Sequence, residues 1–464
     1  MPAKPLSSPK KSKSVVILGA GVAGLAAAWK LSESGFDVTV VEKMDHIGGL
    51  AATFKWKNYE LDLGPHKFYT ILPGILEIFK KLIGKDLLSH PKTSKIRLFN
   101  QYLDYPVKIV DLLKKVGPWH SFRFGLDYFI SQLSNSHPKN SEEYLRSKYG
   151  NYAFKNIFQP LSEKIWGPSS QLDVSLAQTR VPAPTVFQLI TGMVFGIKNK
   201  AHLSADAFYY PRHGIGQMSR AMWDRAKKHG AKLLTKTEPV SISANRVTLS
   251  NKSVLRPDYI ISTIHLKHLV SLLPSPPKVR RAAVSLKHRS LILVFLAFAK
   301  PRLFPQSWTF FPESKYIFSR LSEQKTFSPY MIPKNQTVLI AETPCEFNSE
   351  TWSNPDITKK VLTDLESAEI ILSGEKPIDS KIIKIGNCYP LYDLAYKQNL
   401  LTILNYLSGI KNFYTIGRPG LFFYDNTDHS LDMGLRLADH IISGRSQSDW
   451  QKEISRFFTY RIVD

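Results

Sequence analysis

Ser14-Val15-Val16-Ile17-Leu18 runs directly into Gly19-Ala20-Gly21-Val22-Ala23-Gly24, and the reading of this stretch decides the fold. The first five residues are apolar and β-branched, as a strand buried on both faces requires. Leu25 to Leu31 (LAAAWKL) is rich in strong helix formers, and Gly35 stands where a helix would end. Asp37 to Val41 (DVTVV) is a second buried strand, closed by Glu42. The spacing predicts a β-α-β unit opening on G-x-G-x-x-G. In such a turn the first glycine permits the tight bend, the second lets backbone approach a pyrophosphate, and the third lets helix and strand pack closely. The helix then aims its free N–H groups at the phosphates. Glu42 follows Gly24 by eighteen residues, where a carboxylate accepts hydrogen bonds from a ribose diol. A dinucleotide is the expected ligand.

Lys43 comes next, and five residues separate Glu42 from the pair Gly48-Gly49, followed by Leu50. A simple nicotinamide dehydrogenase has no need of a glycine pair there. The run resembles the second glycine signature of glutathione-reductase-like FAD proteins of the amine-oxidase and desaturase type. In those families the pair passes close to the cofactor, so FAD is the expected dinucleotide.

The composition agrees with a folded enzyme. Of 464 residues, 43% are apolar and 22% charged, which excludes wholesale disorder. Two cysteines, Cys345 and Cys388, exclude a disulfide framework and a cysteine-rich zinc site. The longest apolar runs, such as Leu291 to Ala299, are strand-sized, well short of the ~18–20 residues of a membrane span. The Pro-, Ser- and Lys-rich start lacks the apolar stretch of a secretory signal, so a soluble cytoplasmic protein is expected. Sixty-two Lys and Arg oppose 38 Asp and Glu, a net charge of +24. A phosphorylated substrate, an anionic membrane or nucleic acid could each exploit that excess, as could an ordinary solvated surface. Nucleic acid is not expected, since no dense basic block beyond Lys10, Lys11 and Lys13 is interleaved with aromatics.

Outward from the first unit, the pattern predicts a helix over 74–88, two helices around Gly150 within 141–165, and a helix over 219–229. Strands are predicted at 231–235, 258–262, 291–298 and 412–416, a hairpin over 239–249, and a helix over 430–442. The implied class is α/β: a Rossmann-like FAD domain with an inserted mixed α+β substrate domain. The FAD domain would be discontinuous, from 13–75, 205–275 and 395–445. The substrate domain would take 76–204 and 276–394, with a basic tail over 1–13 and a C-terminal extension over 446–464.

Several scattered blocks share an order that resembles one family. Asp62-Leu63-Gly64-Pro65-His66-Lys67-Phe68-Tyr69-Thr70 is similar to the G-P-H-x-F-H-T segment of UDP-galactopyranose mutases. Glu163-Lys164-Ile165-Trp166-Gly167 resembles their K-Q-W-G, and Arg180-Val181-Pro182 their R-[IV]-P. His288-Arg289-Ser290-Leu291 resembles Y-R-T-L, and Ser319-Arg320 opens a run like T-R-x-x-E-x-K-x-F. Gly417-Arg418-Pro419-Gly420-Leu421-Phe422-Phe423-Tyr424 resembles G-R-L-G-x-Y-x-Y. Departures occur at Leu161, Tyr69, Phe422 and Asn426, and the YDNTDHS ending is more similar to protoporphyrinogen-oxidase-like relatives.

The resemblance implies roles. Gly19, Gly21, Ala23, Gly24, Glu42, Lys43, Gly48, Gly49, Leu50, Gly64, Pro65, His66, Gly417 and Arg418 would bind FAD. Trp166, Arg180, Arg289, Arg320 and Tyr424 would bind substrate, with His66, Arg180, Arg289 and Tyr424 nearest the chemistry. Arg180 and Arg289 would grip a diphosphate, a task suited to a permanently charged fork. No metal is expected. The implied activity is mutase-like, on a nucleotide sugar. The alternative is an FAD-dependent oxidase or desaturase of an amine, porphyrinogen or polyene, with Pro184 to Ile197 as an apolar membrane-facing patch. A flavin-fold binding protein without chemistry is the third reading. Asp425 and Asp428 near His429 are read as caps of the following helix.

Overall fold

The computed structural model describes residues 12–105, 107, 112, 114–133, 137–180, 207–243 and 245–462. The chain divides into two compact units: Met1–Ala52 with Met218–Ala283 and Leu401–Tyr460, and Thr53–Gln217 with Val284–Leu400 and Arg461–Asp464.

The first unit is built on β1 (Ser14–Leu18), α1 (Val22–Glu33) and β2 (Asp37–Val41). Its sheet has five parallel strands in the order Phe413–Thr415, Tyr259–Ser262, β1, β2, Lys232–Leu234. β1 is central, with Val16 opposite Ile260 on one side and Thr39 on the other. Flanked this way it buries Val15 to Leu18, which explains its unbroken apolar run. α1 buries ten of its twelve residues, an outcome open to a helix of alanines squeezed between sheet and neighbours. Helix Thr427–Ile442 lies along it. Each Leu, Ile or Val so buried stabilises the unit by ~1.5–3 kcal/mol. A three-stranded antiparallel sheet, Pro239–Ser243, Arg246–Leu249 and Val254–Leu255, extends the hairpin read from the alternation there.

The second unit centres on a seven-stranded sheet. Its order is Asp379–Pro390, His288–Phe298, Thr337–Cys345, Arg320–Glu323, Trp308–Phe310, Ser94–Leu98, Gln101–Asp104. Only the Trp308–Phe310 and Ser94–Leu98 pair runs parallel. Every residue from Ser290 to Phe298 is buried, because long strands pair on both sides and Phe311, Phe318, Ile357 and Val361 pack into the same core. Helix Ser141–Ala153 breaks its geometry at Gly150 (φ 82°), and a π turn at Phe154–Phe158 joins it to helix Gln159–Ile165. A Cβ at Gly150 would lie 2.6 Å from the Asp127 carbonyl carbon, so only glycine admits helix Pro118–Gln132 this closely.

The compact units part from the expected bounds at 53–75, 207–217, 276–283, 395–400 and 446–460. Residues 53–75, 207–217 and 395–400 cluster with the second unit, and 276–283 with the first. Asp62, fully buried at the end of strand Tyr59–Asp62, ties the first two of these stretches together. Its carboxylate accepts from the Thr53 hydroxyl at 2.5 Å, from the Ile215 N–H at 3.2 Å and from the Tyr210 hydroxyl. Gln324 donates to that same Tyr210 oxygen at 2.9 Å. Of the expected C-terminal extension 446–464, residues through Tyr460 cluster with the first unit. Helix Gln447–Phe457 buries Trp450 against Tyr414 and His440. The apolar stretch 184–197 lies outside the described residues.

Candidate functional site

In the first unit the glycine turn is held by three close approaches. Gly19 donates its N–H to the Val41 carbonyl at 2.8 Å, tying the turn to the end of β2. Its φ of +105° suits glycine, and a Cβ there would meet Thr263 Oγ1 at 2.2 Å. At Gly24 a Cβ would strike the Gly19 carbonyl oxygen at 2.2 Å. Around Gly21, by contrast, nothing lies within 4 Å of the Cβ position. The two flanking glycines therefore close the turn on itself while the middle one faces open space at the start of α1. That is the shape a pyrophosphate needs to rest on backbone N–H groups.

The later segments return to this turn. Gly48 donates to the Ala20 carbonyl at 2.8 Å and bridges Gly21 in a parallel pair. Gly49 is close as well, its Cβ position 3.3 Å from the Gly21 Cα. Glu42 Oε2 accepts from the Ala20 N–H at 2.8 Å, and Oε1 from the Met44 N–H at 2.9 Å. Each oxygen keeps a second lone pair for a ribose hydroxyl. Gly417 also abuts the turn, its Cβ position 3.1 Å from the Ala23 Cβ. Lys43 is exposed and Leu50 half-buried at the rim. Gly19, Gly21, Ala23, Gly24, Glu42, Gly48, Gly49 and Gly417 thus gather at the carboxyl ends of the parallel strands, where open α/β sheets bind ligands. These residues fit an adenine dinucleotide.

Arg418 behaves differently. Its Nε donates to buried Asp425 at 2.9 Å, its Nη2 to the Asp425 carbonyl, and its guanidinium lies 5.6 Å from the Tyr424 ring centre. Tyr424 is itself buried. Asp425 therefore holds Arg418 and does not cap the next helix. The N-cap is Asn426, whose N–H in turn donates to His429 Nδ1 at 3.2 Å.

Two residues of this unit escaped the sequence reading. Thr263 follows strand Tyr259–Ser262 and donates to the Leu18 carbonyl at 2.9 Å, standing against Gly19. His265 lies two residues on, its pKa pushed down to about 4 by burial, with Lys43 adding to the shift. The only signal for either was position: both follow the end of a predicted parallel strand.

The second unit holds the expected substrate residues. Arg180, at the end of helix Val174–Arg180, places its guanidinium carbon 5.9 Å from the Trp166 ring centre. Arg289 Nε donates to the Ile165 carbonyl at 3.2 Å, and its Nη1 to exposed Glu346 at 3.3 Å. Two arginines distant in sequence are thus lodged on consecutive residues, 165 and 166. Burial lowers the Arg289 pKa, opposed by Glu346, and a guanidinium keeps its charge regardless. Trp166 is half-buried, and its indole N–H has no partner among the described residues.

Arg320 was expected among the substrate ligands. Its Nε and Nη2 form two parallel bonds of 2.7 Å to buried Glu342, which fixes that edge of the guanidinium and leaves its remaining N–H groups as donors. Glu342 also approaches Gly64, whose Cβ position lies 3.7 Å from the carboxyl carbon. Gly64, Pro65 and His66 form a short strap between two anchors. One is Asp62. The other is Phe68, which exchanges backbone bonds of 2.9 and 2.8 Å with Tyr209 and stacks on Phe79 at 3.6 Å. His66 is half-buried on that strap.

Residues 22–423 match the family of flavin-containing amine oxidoreductases. The chain belongs to that family. Its cofactor is FAD, and it is a flavoenzyme of the amine-oxidase superfamily. Among curated relatives it is similar to coproporphyrinogen III oxidase of Propionibacterium freudenreichii subsp. freudenreichii, at 24% identity over 61% of this chain. That match spans 63% of the oxidase, a little under two thirds of its length. It is also similar to 4,4'-diaponeurosporene oxygenase of Staphylococcus aureus, at 24% identity over 72% of both chains. Among solved structures, reduced UDP-galactopyranose mutase superimposes with a TM-score of 0.86 at 19% identity. It covers 97% of this chain and all of that one, a likeness of fold. Among the described residues, no helix is long and apolar enough to cross a membrane.

Proposed function

We propose that this flavoenzyme is UDP-galactopyranose mutase-like and rearranges the sugar ring of a nucleoside diphosphate sugar. The observation that carries the reading is the lodging of Arg180 and Arg289 on Ile165 and Trp166. When bound, FAD supplies a nucleophilic nitrogen in its reduced state and a hydride acceptor in its oxidised one. The protein's part is to hold the leaving diphosphate. Two permanently charged guanidiniums neutralise the charge that develops as the anomeric bond breaks, and keep the diphosphate in place for its return. Trp166, beside Arg180, offers a flat face to the nucleotide. No protein base is required for such a rearrangement, in keeping with the lack of any expected triad.

The test is a panel of UDP-, GDP- and dTDP-sugars incubated with dithionite-reduced and with oxidised holoenzyme, products being separated chromatographically. Ring-isomerised product with the reduced enzyme alone supports the proposal. No conversion of any sugar overturns it.

A second reading has its own support: the two curated relatives act, by name, as an oxidase and an oxygenase, and share 24% identity against 19% for the mutase. It predicts that a porphyrinogen, amine or polyene bleaches the flavin under anaerobic conditions.

A further inference from the structure

Helix Pro118–Gln132 carries apolar side chains on both faces. Its inner face sets Phe124 into a core with Ile96, Leu103 and Ile157, beside polar contacts. His120 Nδ1 bonds the Tyr152 hydroxyl at 2.6 Å, and Asp127 accepts the Tyr152 N–H at 2.7 Å. Phe124 adds an edge contact to the Tyr152 ring. The outer face carries Trp119, Phe122, Leu126, Phe129, Ile130 and Leu133, between 40% and 73% exposed. The positions 119, 122, 126, 129 and 133 recur at helical spacing, so they form one stripe. Six of the twenty large exposed apolar residues described lie on this single element. Together they present on the order of 700 Å² of apolar side chain, beyond the few hundred typical of a free surface.

Along residues 114–133 basic side chains outnumber acidic ones. Lys114 and Lys115 are exposed just before the helix, and Arg123 flanks it. Exposed Lys148 accepts the Gln132 amide on its carbonyl at the far end. Between Val116 and Leu133 the only acidic residue is Asp127, on the inner face. An apolar stripe rich in Trp and Phe, edged by Lys and Arg, matches a helix lying in a lipid interface. A second copy of the chain fits less well, because two surfaces of a +24 molecule would repel.

We propose that this helix docks the protein on an anionic phospholipid surface, with Trp119, Phe122 and Phe129 entering the headgroup–acyl boundary. Docking delivers apolar area to the bilayer while the flanking lysines meet lipid phosphates.

Co-sedimentation of the full-length FAD-loaded protein with vesicles tests this, comparing phosphatidylcholine alone with a 3:1 phosphatidylcholine–phosphatidylglycerol mixture. Binding to the mixed vesicles should exceed binding to neutral ones about tenfold and weaken with salt. The double variant Phe122→Ser, Phe129→Ser should lose binding about tenfold while keeping its flavin spectrum and melting temperature. Trp119→Phe should abolish the vesicle-induced blue shift of the tryptophan emission. Three outcomes overturn the proposal. One is equal vesicle binding by the double variant and the parent. Another is a parent dimer that the double variant converts to monomer with no vesicle binding by either. The third is Trp119 shielded from acrylamide in lipid-free monomer, which would mean that another part of this chain already covers the stripe.

Discussion

Arg320 and Glu342 meet through two parallel 2.7 Å hydrogen bonds beneath the strap that carries Gly64 and His66. The pair braces a residue expected to bind substrate. Glu342→Gln removes one charge from a pair in which Glu342 is nearly inaccessible, and should cost about 3 kcal/mol of unfolding free energy, read from urea midpoints. Removing both partners together (Arg320→Met, Glu342→Leu) should recover most of that loss. If the single variant is as stable as the parent, the pair braces nothing.

The glycine turn offers a sharper contrast. Gly24→Ala would drive a methyl into the Gly19 carbonyl, so the variant should be strongly destabilised. Gly21→Ala meets no protein atom, so the apoprotein should melt as the parent does. Its methyl would occupy the pyrophosphate's position, and FAD affinity should fall at least tenfold by titration of flavin fluorescence.

Acid should loosen the first unit through His265. In the unfolded chain this imidazole takes its proton near pH 6.5, whereas in the folded chain it stays neutral down to about pH 4. Between those values the unfolded chain holds more protons, so stability falls as pH drops from 6.5 to 4 and is unaffected by this group above 6.5. The shift corresponds to about 3 kcal/mol at full development. Denaturation at pH 7 and pH 5 should therefore differ less for His265→Gln than for the parent.

Arg180→Ala and Arg289→Ala should each raise KM for a nucleotide sugar roughly 10- to 100-fold, the loss of one charge-assisted contact to phosphate. Lysine should rescue Arg289 poorly, since an ammonium reproduces neither its bond to the Ile165 carbonyl nor its fork. KM values indistinguishable from the parent's for both alanine variants would remove these residues from the site.

The first unit was legible because its strands are short apolar runs and the first of them ends on the glycine turn, a pattern that water and the buried parallel sheet impose together. The long buried strand at 288–298 was equally plain. Its partners were not: three of the four residues of Arg320–Glu323 are polar, and its Ser322 and Glu323 are buried only because strands on either side cover them. The anchoring part of Asp62 left no mark for a related reason, since a carboxylate that holds a buried network is spelled like any surface aspartate. Lys164 sat inside a quoted motif without a role. Its ammonium donates to the carbonyls of Phe311, Glu313 and Phe318, at 2.7, 2.6 and 3.0 Å, and burial pushes its pKa down to about 8. Nothing local in the sequence marks a bond across 147 residues.

β1 finds β2 within the first forty-one residues, but its other neighbour, Tyr259–Ser262, emerges from the ribosome some 240 residues later. At roughly 5–20 residues per second, that strand edge waits on the order of 10–50 s for its partner. During synthesis the nascent chain therefore trails an unpaired apolar ribbon. Chaperones that cover this edge in that interval should raise how much of the protein is recovered from cells.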